Sequence, residues 1–384
     1  MAPASVLLHR TVTFRDHPPL ELERAAAGVV GGATATAASS SSKAADESLE
    51  AMDAAVADYL LAMKPDVRQV VDPPGVSFLT MLRPPSSDPI SKYGRHLNSG
   101  FVAAADKNLV VLYAGFYRPA ESFDGYYLLV DLDAAAAGDA AASTIIPGIH
   151  STGWSSSYKC AGYGTIVMAR QGSQGAFVLA ELLFKFHRPG DGVPRGAMLC
   201  LWQSSTAEQT SRRRWVHKAG DLPAQVSRTW KAHVSFPVQS RGMNMNLLCW
   251  ADLLHGLLLC DLGRHCCDDR ELDYSSSSSS ESDCLFGDYC MFFVPLPHDS
   301  CCSVDEQRHP LSRDPQDFRT MACVGGGAAI IKFFTMDGFG AEAGSRRPVS
   351  LVTYTLHHDD GPSSPPQKSW SWTKTRCCVL IICG

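Results

Sequence analysis

From Val76 onward, short apolar runs alternate with turn residues at intervals of roughly ten residues. Each run is about as long as a β-strand, and small or polar turn residues separate most of them. This rhythm predicts a succession of strands joined by turns. The runs are GVSFLTML, FVAAA, LVVLYAGF, YYLLVDLD, GTIVMA, GAFVLAELLFKF, AMLCLW, RRWVHK, HVSF, LLCWAD, LLLCDL, CMFFVP, AAIIKFF and VSLVTYTL.

The stretch from Leu247 to Pro297 shows this pattern most clearly. It reads LLCWADLLHGLLLCDL and, after a serine-rich insert, CMFFVPLP, which is the order strand, tight turn, strand, loop, strand. Both faces of the first two runs, 247–252 and 257–262, are largely apolar, so we expect a buried hairpin covered on both sides. The residues predicted to form the structural core are Trp250, Asp252, Gly256, Asp261, Pro295 and Pro297.

A weak internal repeat indicates a fold built from similar meanders. The runs LVVLY, YYLLVDLD and TIIP resemble LLCWAD, LLLCDL and FFVPLP. In each copy a strand is followed by one that ends on Asp-Leu and then by one that ends on Pro. Repetition of such units is typical of β-propellers. We therefore predict an all-β, propeller-like repeat of antiparallel meanders, with a β-sandwich as the alternative.

One segment before these runs has a helical pattern. Residues 46–63 place apolar side chains at helical spacing, and Lys64-Pro65 ends the pattern. We predict a single N-terminal helix here, with its apolar stripe packed on the β core. The stripe consists of Leu49, Met52, Val56, Leu60 and Met63.

The organisation of the chain follows from changes in composition. The predicted segments are an N-terminal strand in 1–24, a low-complexity linker in 25–45, one β-rich propeller-like domain in 46–372, and an atypical tail in 373–384. Stretches with little apolar content cannot offset the entropy of ordering. We therefore predict mobility in 25–43, 266–284 and 360–369.

Composition places the chain among ordinary globular proteins. Of its 384 residues, 45% are hydrophobic and 19% are charged, and the net charge is −5. Without a basic excess, the sequence predicts no surface for nucleic acid or an anionic membrane.

The run Val6-Leu7-Leu8 is too short for a signal peptide, no run approaches the roughly 20 residues of a membrane span, and no Asn-x-Ser/Thr site occurs. We expect an intracellular protein, cytoplasmic or nuclear, with reduced cysteines.

Motifs for a metal, a nucleotide or a serine nucleophile are weak. The cysteines and histidines between 255 and 290 lack the C-x₂₋₄-C pairs that usually present thiolates to zinc. The glycine run 325–327 precedes a predicted strand, whereas a dinucleotide site needs a helix there. The stretch 172–175, GSQG, has the wrong spacing for a nucleophile elbow. We predict no catalytic, cofactor-binding or metal-ligating residue and no cofactor, with zinc in 255–290 as the alternative.

The motifs of the chain resemble those of a plant family, domain of unknown function 1618 (DUF1618), which is expanded in grasses. They cover nearly the whole chain, with the core motif in 247–372. The resemblance implies a β-rich fold related to F-box-associated and kelch-like propellers, and it implies no reaction, cofactor or catalytic residue. After Trp372 the chain departs from the family pattern, hence the atypical tail. The motifs are VLLHRTVTF, PPGVSFLT, LLCWADLLHGLLLCDL, FFVPLP, VGGGAAIIKFF and VTYTL with SWSW.

Two functions from different classes remain. We favour a non-catalytic β scaffold that binds a protein partner through loops on one face. The alternative is an enzyme whose site is assembled from residues distant in sequence. Six tryptophans lie in or beside predicted strands, where we expect them in the core, whereas exposed aromatics at one face would mark a binding surface. They are Trp202, Trp215, Trp230, Trp250, Trp370 and Trp372.

Overall fold

The chain folds into two compact units, residues 1–117 with 122–150 and residues 118–121 with 151–384. The structure is a computed structural model. It describes residues 7–16, 56–66, 76–84, 100–115, 125–139, 142–149, 158–170, 176–187, 193–204, 215–227, 229–240, 245–262, 289–300, 314–324, 330–337, 349–358 and 370–380.

The first unit contains a seven-stranded sheet. Its strands are β1 (Leu7–Asp16), β2 (Lys64–Asp66), β3 (Val76–Arg83), β4 (Gly100–Asp106), β5 (Leu109–Gly115), β6 (Gly125–Asp131) and β7 (Ser143–Pro147). They lie in the order β2-β3-β1-β4-β5-β6-β7. The β1 and β3 strands run parallel, and the other neighbouring strands are antiparallel. Strands β4 to β7 therefore form a four-stranded meander within this sheet.

The predicted N-terminal helix is present in its described part. The helix, α1, covers 56–61, and residues 46–55 lie outside the described residues. Val56, Leu60 and Met63 are buried in one cluster with residues of the sheet, which confirms that this stripe packs on the β core. The structure also has a five-residue helix that the periodicity did not predict, α2 (Leu132–Ala136), which Asp131 caps by accepting two backbone N–H bonds.

The second unit contains three four-stranded antiparallel sheets, each a meander in chain order. One sheet has β8 (Tyr158–Ala169), β9 (Phe177–Lys185), β10 (Gly196–Gln203) and β11 (Val216–Gly220). The next has β12 (Val234–Ser240), β13 (Met245–Asp252), β14 (Gly256–Asp261) and β15 (Cys290–Pro295). The last has β16 (Arg319–Val324), β17 (Ile330–Asp337), β18 (Val349–His358) and β19 (Trp370–Leu380).

The weak sequence repeat falls on equivalent strands of two meanders. Its first copy occupies β5, β6 and β7, and its second copy occupies β13, β14 and β15. In both copies the middle strand ends on the Asp, at Asp131 and Asp261, and the last strand ends on a proline, at Pro147 and Pro295. The repeat therefore marks a shared strand-strand-strand unit.

The third sheet, β12 to β15, buries both of its faces inside the second unit. Along β13, Leu248 and Trp250 belong to a core shared with β8, β9 and β10. Leu247, Cys249 and Ala251 point to the opposite face and belong to a core shared with β16, β17 and β18. This arrangement confirms the buried hairpin and explains its continuous apolar run, because alternate side chains both meet other sheets.

Strand β8 and the segment just before β12 meet at a close backbone contact. Gly162, with φ +90°, bridges to Ala232, and the N–H of Tyr163 donates to the carbonyl oxygen of Ala232 at 2.9 Å. A Cβ on Gly162 would lie only 2.5 Å from that oxygen, so the site needs glycine for both conformation and space. The Ser235 hydroxyl donates to the Thr165 carbonyl at 2.7 Å and adds a side-chain link between β8 and β12.

The fold is all-β, as predicted. The propeller-like arrangement of the meanders, with a β-sandwich as the alternative, stays a prediction. The segments 25–43, 266–284 and 360–369 lie outside the described residues. Beyond Trp372, β19 continues to Leu380 and pairs with β18, so that part of the chain is the fourth strand of the last meander.

Candidate functional site

A cleft of about 330 Å³ opens where the third and fourth sheets meet. One side is the segment that leaves β15, and the other is formed by β18 and β19. Trp370, Trp372 and Lys374 alternate along β19, so they share one face, and Lys374 pairs with Tyr354 of β18. The lining residues are Val294, Pro295, Leu296, Pro297, His298, Asp299, Tyr354, Trp370, Trp372 and Lys374.

Buried rings support the aromatic walls of this cleft, which we call the aromatic cleft. Trp372 meets Phe333 edge-on at 6.2 Å, and Phe333 stacks on Tyr354 at 6.0 Å. Trp370 stacks on Phe292 at 6.1 Å. Both tryptophans are half-buried, whereas Phe333 is fully buried. The packing therefore limits the rotamers of the exposed rings before any ligand arrives.

A side-chain hydrogen bond joins the two sides of the cleft. The indole Nε1–H of Trp372 donates to the carbonyl oxygen of Pro295 at 2.7 Å. Proline has no N–H, so Pro295 and Pro297 leave this segment with fewer donors that could pair with a neighbouring strand. The chain after β15 is thus held against β19 by an indole rather than by a strand ladder.

The rim of the cleft carries one ion pair. Lys374 Nζ lies 3.3 Å from Asp299 Oδ2 and 5.7 Å from the centre of the Tyr354 ring. The side chains of Lys374 and Asp299 are 48% and 56% exposed. Solvent screens such a pair, so its contribution to stability is small, about 0–1 kcal/mol.

The turn between β13 and β14, which pairs with the end of β15, is organised by Asp252. Its carboxylate is fully buried and accepts backbone N–H bonds from Lys231 at 2.9 Å and Leu254 at 2.8 Å. The Nδ1 of His255 donates to it at 2.9 Å. The Nδ1 of His233 lies 3.4 Å from the same carboxylate, so the imidazole contact of His255 is the shorter of the two.

These contacts determine the protonation states of Asp252 and His255. Burial opposes ionisation of Asp252, but the contacts with His233 and His255 outweigh it, so the pKa of Asp252 lies well below its ordinary value. The hydrogen bond to Asp252 raises the pKa of His255, against the opposing effect of burial. Asp252 is therefore ionised at neutral pH, and His255 holds its proton more tightly than a free imidazole.

A hydroxyl completes a chain of hydrogen bonds at this turn. Thr229 Oγ1 lies 3.3 Å from His255 Nε2, and His255 Nδ1 contacts Asp252. Hydroxyl, imidazole and carboxylate thus follow one another in the order of a nucleophile, a base and its orienting group. Asp252 also accepts two backbone N–H bonds, which fits a carboxylate that shapes the turn.

The turn and the cleft are joined by a buried arginine. Arg319 is 5% exposed, and its Nη1 donates to the Leu253 carbonyl at 2.9 Å while its Nη2 donates to the Ser300 carbonyl at 2.8 Å. The N–H of Leu296 donates to the His255 carbonyl at 3.3 Å. The 252–256 turn therefore positions the 295–300 segment that lines the cleft.

The structure brings four of the six predicted core residues to this end of the sheet. Gly256 pairs with both Asp252 and Pro295, and Pro297 follows two residues later. Trp250 lies fully buried further along β13, and Asp261 lies at the other end of β14. The sequence did not single out Asp299, Arg319, Tyr354 or Lys374. The alternation W-S-W-T-K was the available signal for a shared face on β19.

Four of the six tryptophans lie in the core, and the other two line a surface cleft. Four are buried, with Trp215 the most exposed of these at 9%. Trp370 and Trp372 instead line the aromatic cleft. The core prediction is therefore confirmed for the four buried tryptophans, which are Trp202, Trp215, Trp230 and Trp250.

The region considered for zinc is only partly described. Cys260 is fully buried in β14, where burial, followed by the nearby Asp261 and Cys290, raises the pKa of its thiol. Among the described residues, no group of three or more His, Cys, Asp or Glu side chains could hold a metal ion. The other cysteines and the histidine of this region lie outside those residues: His265, Cys266, Cys267 and Cys284.

Replacing Gly256 with alanine is expected to destabilise this end of the sheet by roughly 2 kcal/mol. Gly256 has φ +153°, and a Cβ there would lie 2.5 Å from the Val294 carbonyl oxygen. Urea unfolding followed by tryptophan fluorescence measures the change. Gly196→Ala is the control, because Gly196 lies on β10 of the same unit and its added Cβ would meet only the Gly220 carbonyl oxygen, at 3.4 Å. A loss no larger than the control's would contradict the steric argument.

These features define an all-β protein of repeated four-stranded antiparallel meanders with an aromatic cleft beside one of them. Residues 250–381 match the family model described as a protein of unknown function (DUF1618), which supports the resemblance to that family. The match covers the Asp252 turn, the 295–300 segment and strands β16 to β19. No curated protein and no solved structure matches the chain. None of the described helices is long and apolar enough to cross a membrane.

Proposed function

We propose that this protein is a non-catalytic β scaffold that binds a protein partner in the aromatic cleft. The observation that carries the proposal is the pair of half-buried tryptophans, Trp370 and Trp372, held in place by fully or largely buried rings. Tryptophan and tyrosine are enriched among the residues that dominate binding energy at protein interfaces. Rings that are already ordered lose little conformational entropy on binding.

The surroundings of the cleft support the same function. The 295–300 segment is attached to the buried turn by Arg319 and has its own backbone pairing at Ser300, whose N–H donates to the Pro297 carbonyl at 2.9 Å. A loop held on a rigid sheet is a common way to present a recognition surface. The resemblance to plant DUF1618 proteins adds to the proposal a plant origin and a propeller-like arrangement of the meanders. We also propose an intracellular location, since the chain has no Asn-x-Ser/Thr site.

Replacing both Trp370 and Trp372 with alanine is expected to abolish retention of the partner. The double variant and the wild-type chain are tagged, and the proteins that co-purify from plant tissue are compared by quantitative mass spectrometry. The partner should decrease at least tenfold with the double variant. Phe78→Ala is the matched control, because Phe78 is 50% exposed and lies in the first unit. An unchanged set of partners for a folded double variant would refute the proposal.

A second candidate function is an enzyme of the acyl-transfer class, and the Thr229-His255-Asp252 chain is the observation that favours it. The two functions differ in the reactivity of Thr229. An enzyme would be labelled by a fluorophosphonate at Thr229, and His255→Gln would remove the label. The scaffold predicts no labelling of Thr229 in either protein, with Ser227→Ala as the control for the neighbouring hydroxyl, 3.2 Å from Thr229 Oγ1.

A further inference from the structure

The mouth of the aromatic cleft already contains an ammonium group. Lys374 Nζ lies 5.7 Å from the centre of the Tyr354 ring and 3.3 Å from Asp299 Oδ2. A cation within about 6 Å of an aromatic face is attracted by the quadrupole of the ring. The carboxylate of Asp299 adds a full opposite charge. Tyr354 and Asp299 together therefore form a receptor for an alkylammonium group, and the chain's own lysine occupies it.

This internal occupant is easily exchanged. Both Lys374 and Asp299 are about half exposed, so solvent screens their attraction and Lys374 loses little when it turns away. Lysine is a flexible four-carbon side chain with a single point charge, and no bidentate geometry holds it in place. The receptor groups are better fixed. Tyr354 is 1% exposed and stacks on Phe333, and Asp299 belongs to the 3₁₀ turn His298–Ser300.

We infer that the cleft takes the ammonium group of a lysine-type side chain of the partner, in exchange for Lys374. The inference rests on the proposed binding function and specifies its chemistry. Trp370 and Trp372 line the same cleft and offer aromatic surface to the hydrocarbon stem of the incoming lysine. Methylation keeps the charge of the ammonium and adds apolar surface, and aromatic sites recognise quaternary ammonium groups well. The trimethylated side chain is therefore the preferred ligand.

An uncharged or acidic ligand fits this site less well. An apolar side chain that displaced Lys374 would leave Asp299 without its counterion, and an acidic one would place two carboxylates together. Lys374 also limits the affinity for a cation, since it competes for the same place and repels a second positive charge. Removing the lysine charge should therefore improve binding of the ligand, which is the reverse of what a structural lysine would show.

The probe is Nα-acetyl-Nε-trimethyl-lysine amide, titrated into the full chain, with Nα-acetyl-norleucine amide as the uncharged comparison. Binding is followed by NMR through the indole N–H signals of Trp370 and Trp372, assigned with Trp370→Phe and Trp372→Phe. We expect both signals to shift with trimethyl-lysine and not with norleucine. Lys374→Met should tighten binding by up to about fivefold, and Asp299→Asn should weaken it by about fivefold or more.

Lys185→Met is the matched control. Lys185 Nζ lies 5.9 Å from the centre of the Tyr158 ring, so the variant removes a comparable cation–π contact and the same charge, but Lys185 does not line the cleft. Its affinity for the probe should equal that of the wild-type chain. Equal binding of norleucine and trimethyl-lysine, or no gain of affinity in Lys374→Met, would overturn the inference.

The two proposals fail in different ways. If the tryptophan double variant loses its partner while trimethyl-lysine fails to bind, the scaffold function stands and the lysine inference is wrong. If trimethyl-lysine binds as expected but the double variant keeps all its partners, the ammonium site stands and its assignment to a protein partner is wrong. Thermal midpoints within about 2 °C of wild type for Lys374→Met and Asp299→Asn establish that both variants are folded.

Discussion

Replacing Trp250 with alanine is expected to destabilise the second unit by about 3–5 kcal/mol. Trp250 is fully buried, and its indole Nε1–H donates to the Gly164 carbonyl oxygen at 2.7 Å. The ring fills the core shared by β13 and the sheet of β8 to β11. Alanine would leave a large cavity between the two sheets. The hydrogen-bonded strands of each sheet hold their positions, so the sheets cannot close the cavity.

Trp250→Phe separates the cavity from the hydrogen bond. Phenylalanine keeps most of the ring volume but cannot donate to Gly164, so we expect a loss of roughly 2 kcal/mol. Val324→Ala is the control, because Val324 lies on β16 of the same unit and is 42% exposed. Its effect should stay within about 0.5 kcal/mol.

Tryptophan fluorescence during urea unfolding measures these changes in the stability of the second unit. All seven tryptophans lie within residues 151–384, so the signal reports on the second unit alone. The two units need not unfold together, and a single free energy of unfolding would then not describe the whole chain. A probe confined to the second unit avoids this problem. An alanine variant with the midpoint of the wild-type chain would show that the cavity argument is wrong.

The hairpin of β13 and β14 could be predicted because its signal is local. Trp250 and its neighbours lie in a run that is apolar on both faces, and the His255-Gly256 turn follows directly. Such a run is stable only where other elements cover both faces. The sequence therefore predicts that the hairpin is buried, but it does not show which sheets cover it.

The aromatic cleft could not be predicted in the same way. Lys374 lies 75 residues after Asp299, and Trp372 lies 77 residues after Pro295. Periodicity shows which residues of one strand share a face, but it does not show which other strand that face meets. The tryptophans of β19 were therefore grouped with the core tryptophans, although the packing leaves them half-exposed.

Short capped elements were missed for another reason. The five residues of α2 are too few to display a helical period, and a helix this short needs tertiary support. Its N-cap, Asp131, is the last residue of β6 and also accepts a hydrogen bond from the Asn108 side chain at 2.6 Å. The Asp-Leu ending of this strand was visible in the sequence, but its side-chain partner, Asn108, lies 23 residues earlier in the turn between β4 and β5.

Replacing Asp252 with asparagine is expected to destabilise the second unit by about 3 kcal/mol at pH 6 and to reduce the pH dependence of its stability. The carboxylate is fully buried and accepts N–H bonds from Lys231, Leu254 and His255. An asparagine has only one accepting oxygen, so its NH₂ group must face at least one of these donors. The loss combines an unsatisfied donor with the lost charge of the acceptor.

The pH dependence of the wild-type chain follows from the two shifted groups. The pKa of Asp252 is lowered on folding, so its contribution to stability is present above the unfolded value near 3.8 and is lost as the pH falls through the folded value. The pKa of His255 is raised on folding, so its contribution is present below 6.5 and is lost as the pH rises through the folded value. The same ion pair produces both effects, and stability should be greatest between about pH 5 and pH 6.5.

His255→Gln tests the alkaline side of this profile separately. Glutamine cannot release a proton near neutral pH, so the variant should lose the decline in stability above pH 6.5. The decline at acid pH should become smaller, because His255 is one of the groups that lower the pKa of Asp252. His357→Gln is the control, because His357 is exposed on β18. Urea midpoints measured from pH 5 to pH 9 give the profiles. If His255→Gln declines as steeply above pH 6.5 as the wild-type chain does, the Asp252–His255 pair is not the source of the pH dependence.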